Sequence, residues 1–244
     1  MPMPYPSVLL PWPTATETRR PAAAGEPEPT IGWPSTAQLL AARGTRRWSE
    51  ALKTSARQWL TRPHRAPLLA ALSHCPAWAA RFEADARYFH CANSHFLDRR
   101  LGPAARMATM ANDLQRAALH LPAALQGPLA RGEPVRLWSL NDDLHLCLGW
   151  NDVSYHEGLW ALSLRDGAGR RLYYLSFSFQ GQASVLVPTL QGPAQQDDDV
   201  RALVRQLTKQ AEGLRPQHLL VAALRAACAA WAIERLAGIA PANH

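Results

Sequence analysis

The sequence contains little cysteine and almost no lysine. Its four cysteines in 244 residues lie far apart and follow no repeating pattern, so we predict no disulfide framework and a reducing compartment is favoured. Only Lys53 and Lys209 are lysines, so arginine supplies nearly all of the 26 basic residues. With 48% hydrophobic residues the chain can bury a core, which excludes a wholly disordered protein.

Long hydrophobic runs are also missing from the sequence. Residues 1–13 lack a basic start, and the apolar run Val8–Leu10 is too short for a secretory signal. The most apolar later stretch, Leu219–Ile233, carries Arg225 and is shorter than the roughly 20 residues that a membrane span needs. We therefore expect a soluble, cytoplasmic protein.

Familiar catalytic and phosphate-binding motifs do not occur. The chain has no Gly-x-Ser-x-Gly elbow and no glycine-rich loop of the Gly-x-x-x-x-Gly-Lys or Gly-x-Gly-x-x-Gly type. Asp142, Asp143 and Asp152 follow predicted strands, where solvated turn residues are expected rather than a catalytic carboxylate pair. Whether the protein is an enzyme stays open on this pattern.

The histidines and cysteines form one cluster in the sequence, at His74-Cys75, His90-Cys91 and His95. A zinc site needs four converging ligands. Neighbouring residues on a helix point about 100° apart, so each His-Cys pair diverges. We therefore expect no metal site here.

The chain divides into a tail and one domain. Residues 1–34 hold 9 of the 20 prolines, and such a segment favours extended conformations that bury little. We predict a disordered proline-rich tail; a docking ligand for a proline-recognising partner is the alternative, although no PxxP with a basic flank is clear. Residues 35–244 are predicted to form one α+β domain, with a helical half over 35–132 and a sheet half over 133–244.

The helical half is indicated by capping residues, prolines and a helical period. Ser35 and Thr36 favour the start of a first helix, because a side-chain oxygen accepts hydrogen bonds from free N–H groups of the first turn. Apolar residues then recur at spacings of three and four, which places them on one helical face. These residues are Met107, Met110, Leu114, Ala118 and Leu121.

From Val135 the period changes to two, which predicts an antiparallel meander of about five strands. Asp166-Gly167-Ala168-Gly169 favours a hairpin turn between the third and the fourth strand. A helix near Val200, capped by one of Asp197–Asp199, a second helix from Pro216 to about Ala232, and a last strand over Arg235–Ala240 are predicted to follow. The five predicted strands are Val135–Leu140, Leu144–Trp150, Leu159–Arg165, Arg171–Phe179 and Ala183–Leu190.

The net charge of +7 belongs to the helical half. Residues 35–132 contain 14 basic and 5 acidic residues, whereas each flanking segment has a net charge of −1. Solvated arginines are the simplest interpretation; an anionic membrane surface is the leading functional alternative. No helix-turn-helix or RNA-binding motif is present, so no specific nucleic acid is expected. The arginines predicted to form this basic face include Arg43, Arg46, Arg47, Arg99, Arg100 and Arg106.

Four short motifs in the sheet half resemble the VirK/YbjX family, a proteobacterial family built on a domain of unknown function. They are Leu190-Gln191-Gly192, Leu207-Thr208-Lys209, Gly213-Leu214-Arg215-Pro216 and Asn243-His244. The resemblance covers roughly residues 65–244. It implies a bacterial accessory protein linked to virulence, envelope homeostasis and stress response. It also implies an anionic membrane surface or an envelope protein as partner, at the cytoplasmic side of the inner membrane.

The chain departs from this family at four places. Glu212 stands where a histidine is usual, Asp113-Leu114 where a His-Tyr pair is common, and Ala240-Pro241 where a Ser-Asn-like pair precedes the final histidine. Family members also usually continue for several dozen residues beyond the position of His244. The resemblance thus implies a C-terminally shortened and diverged member.

The family motifs supply the predicted site. Gly192 is expected to need a positive φ, Gly213 to cap a helix C-terminus, and Pro216 to open the next helix. Lys209 and Arg215 have no evident structural role. With Gln191, Gly192 and His244 they are predicted to bind an anionic ligand beyond the strand end. The five ligand-binding candidates are Gln191, Gly192, Lys209, Arg215 and His244.

An alternative interpretation is an acyltransferase. Helices, a meander and then strand–helix–strand resemble the order in N-acyltransferases (GNAT-like), which use an acyl-CoA or an acyl carrier donor. Such a donor would place its pyrophosphate at a helix N-terminus after Gln191 and Gly192. However, the expected glycine-rich loop is missing and Asp197–Asp199 would repel the pyrophosphate. No cofactor is expected outside this alternative.

Overall fold

The computed structural model describes residues 31–45, 47–193 and 198–238, with the backbone alone at residues 198 and 199. The fold is α+β, as predicted, with helices first, then an antiparallel meander, then two further helices and a last strand. Residues 1–30 of the predicted tail lie outside the described residues. Ile31 is buried and Trp33 packs edge-on against Phe89, so these two residues belong to the core although they precede the predicted domain boundary.

The helical half consists of short helices punctuated by prolines, as predicted. The Ser35 hydroxyl accepts a hydrogen bond from the Gln38 amide at 3.3 Å and completes a capping box before α1. A 3-10 turn, Arg62–His64, joins the second and third helices. The helices are α1 Thr36–Ala42, α2 Trp48–Thr61, α3 Ala66–Ser73, α4 Pro76–Ala84, α5 Arg87–Asn93, α6 Pro103–His120 and α7 Ala123–Ala130.

The sheet follows the predicted period closely. Its strand order is β1-β2-β3-β4-β5-β6, and the first five strands are antiparallel neighbours. The Gly169 amide donates to the Asp166 carbonyl at 2.8 Å, which closes the predicted hairpin turn. The meander strands are β1 Val135–Asn141, β2 Leu144–Trp150, β3 Trp160–Asp166, β4 Arg171–Gln180 and β5 Ser184–Gln191.

The last strand joins the sheet by a helical crossover. After β5 come α8 Asp198–Gln210 and α9 Pro216–Ala230, and β6 Arg235–Gly238 then pairs with β5 in parallel. The aspartate side chains predicted to cap α8 are not described. Ala240, the predicted end of β6, also lies outside the described residues. Within the described ranges, no helix is both long and apolar enough to cross a bilayer.

The core joins the helices to the sheet through aromatic rings. The Trp78 ring of α4 lies 5.7 Å from the Trp150 ring and 5.1 Å from the Trp160 ring, edge-on to both. All four cysteines are buried and none of them is in a disulfide.

Asp113 of α6 fixes this helix to the sheet from inside the core. The carboxylate is fully buried and accepts hydrogen bonds from the Trp160 indole at 3.0 Å, the Ser178 hydroxyl at 2.7 Å and the Phe179 amide at 2.8 Å. Burial raises the pKa of Asp113 to about 7, because the hydrogen bonds offset only part of the cost of a buried charge. The Asp113 side chain therefore has a structural role in the core.

Candidate functional site

The predicted ligand-binding residues are only partly brought together. Gln191 lies at the exposed end of β5 and donates to the Thr189 hydroxyl at 3.1 Å. Lys209 lies in the last turn of α8 and Arg215 directly before α9, both exposed. Among the described residues, no hydrogen bond or ion pair links these three side chains, and His244 lies outside the described part. A shared anion site at this end of β5 stays a prediction.

The glycines of the family motifs have different reasons to be glycine. Gly213 has a φ of +90° and its amide donates to the Thr208 carbonyl at 2.8 Å, so its predicted role as a helix C-cap is confirmed. The predicted positive φ of Gly192 is wrong, because Gly192 is not among the residues with positive φ. Instead, a Cβ at Gly192 would overlap the ring of Tyr173, so the glycine allows this ring to lie against the strand end.

Helix α2 carries an exposed apolar face that the sequence reasoning missed. Trp48 is 76% exposed, Trp59 74% and Leu52 62%, and at about 100° per residue the three lie within an arc of roughly 40°. Leu60 extends the face, and a shallow hollow beside it is lined by Trp59, Leu60, Arg62 and Pro63. The four residues Trp48, Leu52, Trp59 and Leu60 are called the apolar face of α2 below.

Basic side chains border the apolar face. Arg47, Lys53 and Arg62 are exposed at its margins. Glu50 is the single acidic residue of residues 36–65, and both Arg43, at 3.1 Å, and Lys53, at 3.0 Å, form ion pairs with it. An apolar face between surplus positive charges defines an amphipathic surface helix.

The opposite side of α2 packs on α5. Thr54 and Thr61 are both buried there. The Thr61 hydroxyl donates a hydrogen bond to the side-chain oxygen Oδ1 of Asn93 at 2.6 Å. Arg57 lies between these threonines at helical spacing, so it shares their face. Helix α2 therefore presents tryptophan outward and a polar row inward.

A histidine cluster lies beside this inward row. The rings of His95 and His156 lie 4.0 Å apart between centroids, with an angle of 31° between their planes. The Cys91 sulfur lies 3.5 Å from Nδ1 of His156. The Leu97 amide donates to the His156 carbonyl at 2.7 Å, and Leu97 has a φ of +58°. The strained Leu97 thus holds the segment after α5 against the loop between β2 and β3. We call His90, His95 and His156 the histidine cluster.

The imidazoles of this cluster are neutral at pH 7. Burial, reinforced by neighbouring arginines and histidines, lowers the pKa of His90 to about 4, and partial desolvation of the more exposed His95 ring beside His156 and Arg106 lowers the pKa of His95 as well. Burial also lowers the pKa of His156 and raises that of the Cys91 thiol. Because Cys91 stays protonated, it does not form the thiolate–imidazolium pair of a cysteine nucleophile. In the described residues, no group of three histidines, cysteines or carboxylates is arranged to hold a metal ion.

Arg106 belongs to the interior next to the cluster. The sequence placed it on an exposed basic face, but the residue is 7% exposed. Its guanidinium donates to the carbonyls of Ala92 at 2.7 Å and Asn93 at 3.2 Å. Burial lowers the pKa of Arg106, and the charge of Arg57 lowers it further. The expectation for Arg106 is therefore wrong, since its guanidinium supports the end of α5.

The fold and this surface define an α+β protein with a basic amphipathic helix on its surface. A family model described as "Protein of unknown function (DUF535)" matches residues 43–244. This family is the VirK/YbjX family, and the chain belongs to it.

The relatives carry little functional description. A protein from Mannheimia haemolytica named "Membrane protein LapB" is 27% identical over 212 residues, which cover 85% of this chain and 90% of that one. An uncharacterized protein from Haemophilus influenzae is 27% identical over 190 residues, covering 78% and 64%. A second one is 29% identical over 162 residues, covering 65% and 53%. The chain spans less than two thirds of either Haemophilus relative. No solved structure matches the chain.

Proposed function

We propose that this protein is an envelope accessory protein that binds the surface of anionic membranes through α2. Its place is the cytoplasmic side of the inner membrane. We also infer, from the family resemblance, a role in envelope homeostasis, virulence and stress response. The name "Membrane protein LapB" of one relative supports a position at the membrane.

The observation that carries this proposal is the pair Trp48 and Trp59. Both are about three-quarters exposed on one side of one helix, a costly arrangement in water that suits a membrane interface. Tryptophan is enriched at that interface because its ring is apolar while its N–H stays hydrated. Insertion of such a face by several ångströms removes apolar area from water at about 25 cal/mol per Å².

The charges at the margins suit an anionic surface. Each basic residue near an anionic bilayer contributes about 1 kcal/mol, and this attraction weakens with salt. Arg47, Lys53 and Arg62 stand at the margins of the apolar face. They would lie at headgroup level when the tryptophans enter the interface.

Vesicle flotation tests this proposal. The full chain is mixed with vesicles of phosphatidylcholine alone or with vesicles that also contain anionic phosphatidylglycerol, the kind of surface that attracts basic clusters. We expect flotation with anionic vesicles and its reduction as salt rises from about 0.05 to 0.5 M. Equal absence of flotation with both vesicle types would overturn the proposal.

The acyltransferase alternative gains no support from the described residues or from the relatives. Neither an acyl-CoA nor an acyl carrier donor is assigned a site, and this alternative stays an untested prediction. The same holds for an envelope protein as partner.

A further inference from the structure

We propose that the inward side of α2 and the histidine cluster form a binding site for a phosphate group. Its residues are Arg57 of α2, His90 and Asn93 of α5, His95, and His156 of the β2–β3 loop. The phosphate belongs either to a soluble phosphate ester or to a lipid headgroup. The site is separate from the predicted one at Gln191 and from the apolar face of α2, and it does not depend on membrane binding.

The interior of the helical half holds an excess of positive charge. Arg57 is half-buried and Arg106 is buried. Arg57 lies close enough to His90, His95 and Arg106 for its charge to lower the pKa of all three. Among the described residues, neither guanidinium forms an ion pair with a carboxylate. Like charges this close and partly dehydrated are costly unless an anion joins them.

Three buried polar atoms of α2 and α5 have no hydrogen-bond partner among the described residues. His90 is 7% exposed, Asn93 2% and Thr54 1%. Nδ1 of His90, Nδ2 of Asn93 and Oγ1 of Thr54 have no hydrogen-bond partner. Buried polar groups are normally paired, so these three atoms of α2 and α5 leave hydrogen-bonding capacity for a ligand.

The geometry also gives the ligand a way in. His95 is exposed and His156 is half-buried, so these two rings, tilted at 31° to each other, lie nearer the surface than the buried His90 and Asn93. Neutral imidazoles donate one N–H each, and a guanidinium binds two oxygens of a tetrahedral oxyanion at once. This set of donors, one guanidinium and several neutral N–H groups, suits a phosphate group.

The carboxylates in the neighbourhood are Glu157, Asp85 and Glu50, and the last two form ion pairs with other basic residues. The charge of Glu157 partly offsets the lowering of the His156 pKa, and the charge of Asp85 contributes to the raised pKa of Cys91. Asp85 is already bound by Arg87 at 2.8 Å and by Arg81 at 3.5 Å. Glu50 is engaged by Arg43 and Lys53.

Titration calorimetry with inorganic phosphate and with glycerol 3-phosphate tests the site, at constant ionic strength against chloride. We expect binding that weakens at least about tenfold in Arg57→Gln, since a charge-assisted hydrogen bond is lost. His95→Gln, at an exposed residue, should weaken it several-fold without affecting folding. Arg205→Gln is the control, because it removes the same charge from an exposed position on α8.

Vesicles containing phosphatidic acid separate the two sources of phosphate. Binding of the soluble phosphates that depends on Arg57 and His95 indicates a phosphate ester. Tighter binding to phosphatidic acid vesicles than to phosphatidylglycerol vesicles, with the difference lost in Arg57→Gln and kept in Arg205→Gln, indicates a headgroup. No binding of any phosphate, or equal losses in Arg57→Gln and Arg205→Gln, would overturn the site. Trp48 and Trp59 have no part in it, so its failure leaves the proposed membrane contact untouched.

Discussion

The indole nitrogen of Trp160 lies 3.0 Å from a carboxylate oxygen of Asp113, and both residues are fully buried. This bond joins the longest helix of the helical half, α6, to the middle of the sheet. Two further donors, from Ser178 and Phe179, converge on the same carboxylate. The stability of the described fold should therefore depend on Asp113 and on its protonation.

The pH dependence of stability should report this carboxyl group. Its pKa is raised to about 7 in the folded state, so between about pH 4 and 7 the folded protein keeps a proton that the unfolded chain releases. The contribution of Asp113 to the free energy of unfolding should consequently fall as pH rises through this interval, opposite in sign to the contribution of the buried His90, whose pKa is lowered. In Asp113→Asn this fall should shrink, by on the order of 1–4 kcal/mol.

Urea denaturation at pH 5 and pH 8 measures the difference. Asp113→Ala should be destabilised by about 2 kcal/mol or more at both pH values, because three buried donors lose their acceptor. The same change in the free energy of unfolding between pH 5 and pH 8 in the wild type and in Asp113→Asn would contradict the raised pKa of Asp113.

Gly192→Ala should destabilise the protein through Tyr173. The added Cβ overlaps the tyrosine ring, and overpacking of this kind costs about 1–3 kcal/mol. Combining it with Tyr173→Ala should remove most of the extra cost, which a double-mutant cycle in urea detects. Additive losses would show that Gly192 is needed for another reason.

Leu60→Ser and Leu119→Ser form a matched pair for the apolar face. The residues are 55% and 57% exposed, and only Leu60 belongs to that face. We expect Leu60→Ser to weaken binding to anionic vesicles by about two- to tenfold, as for part of a leucine side chain withdrawn from the interface. Leu119→Ser, on α6, should bind as the wild type does, and a similar loss in both variants would argue against α2 as the contact.

The role of the basic residues at the margins of the apolar face can be tested by removing their charges. Arg47→Gln with Arg62→Gln should weaken binding to anionic vesicles by roughly tenfold or more at low salt, at about 1 kcal/mol per charge. The control combines Arg136→Gln with Arg225→Gln, which removes equal charge from exposed positions on β1 and α9. Flotation at two salt concentrations measures both, and equal losses would indicate attraction by net charge alone.

Much of the fold could be predicted because its signals are local. A period of two placed the strands to within about a residue, and β2 runs over the predicted Leu144–Trp150. Pro216 and Gly213 marked a helix start and a helix end for steric reasons that act within a few residues. Such signals need no knowledge of which elements pack together.

The candidate sites depend on tertiary packing, and there the sequence was a weaker guide. His95 and His156 come together through a contact between two loops, which their spacing in the sequence does not predict. Arg106 looked like any exposed arginine, yet it is buried against α5. The helical spacing of Trp48, Leu52 and Trp59 was readable, but an apolar helical face usually packs inward, so its exposure became visible only in the structure.

The most direct test of the membrane proposal is flotation of the Trp48→Ser/Trp59→Ser double variant with anionic vesicles, beside the wild type and Leu119→Ser. Both tryptophans are exposed, so the double variant should keep the wild-type midpoint in urea. We predict that its vesicle binding falls by at least about tenfold while Leu119→Ser binds normally, because the two indoles supply most of the inserted apolar area. Unchanged binding of a folded double variant would contradict membrane contact through α2.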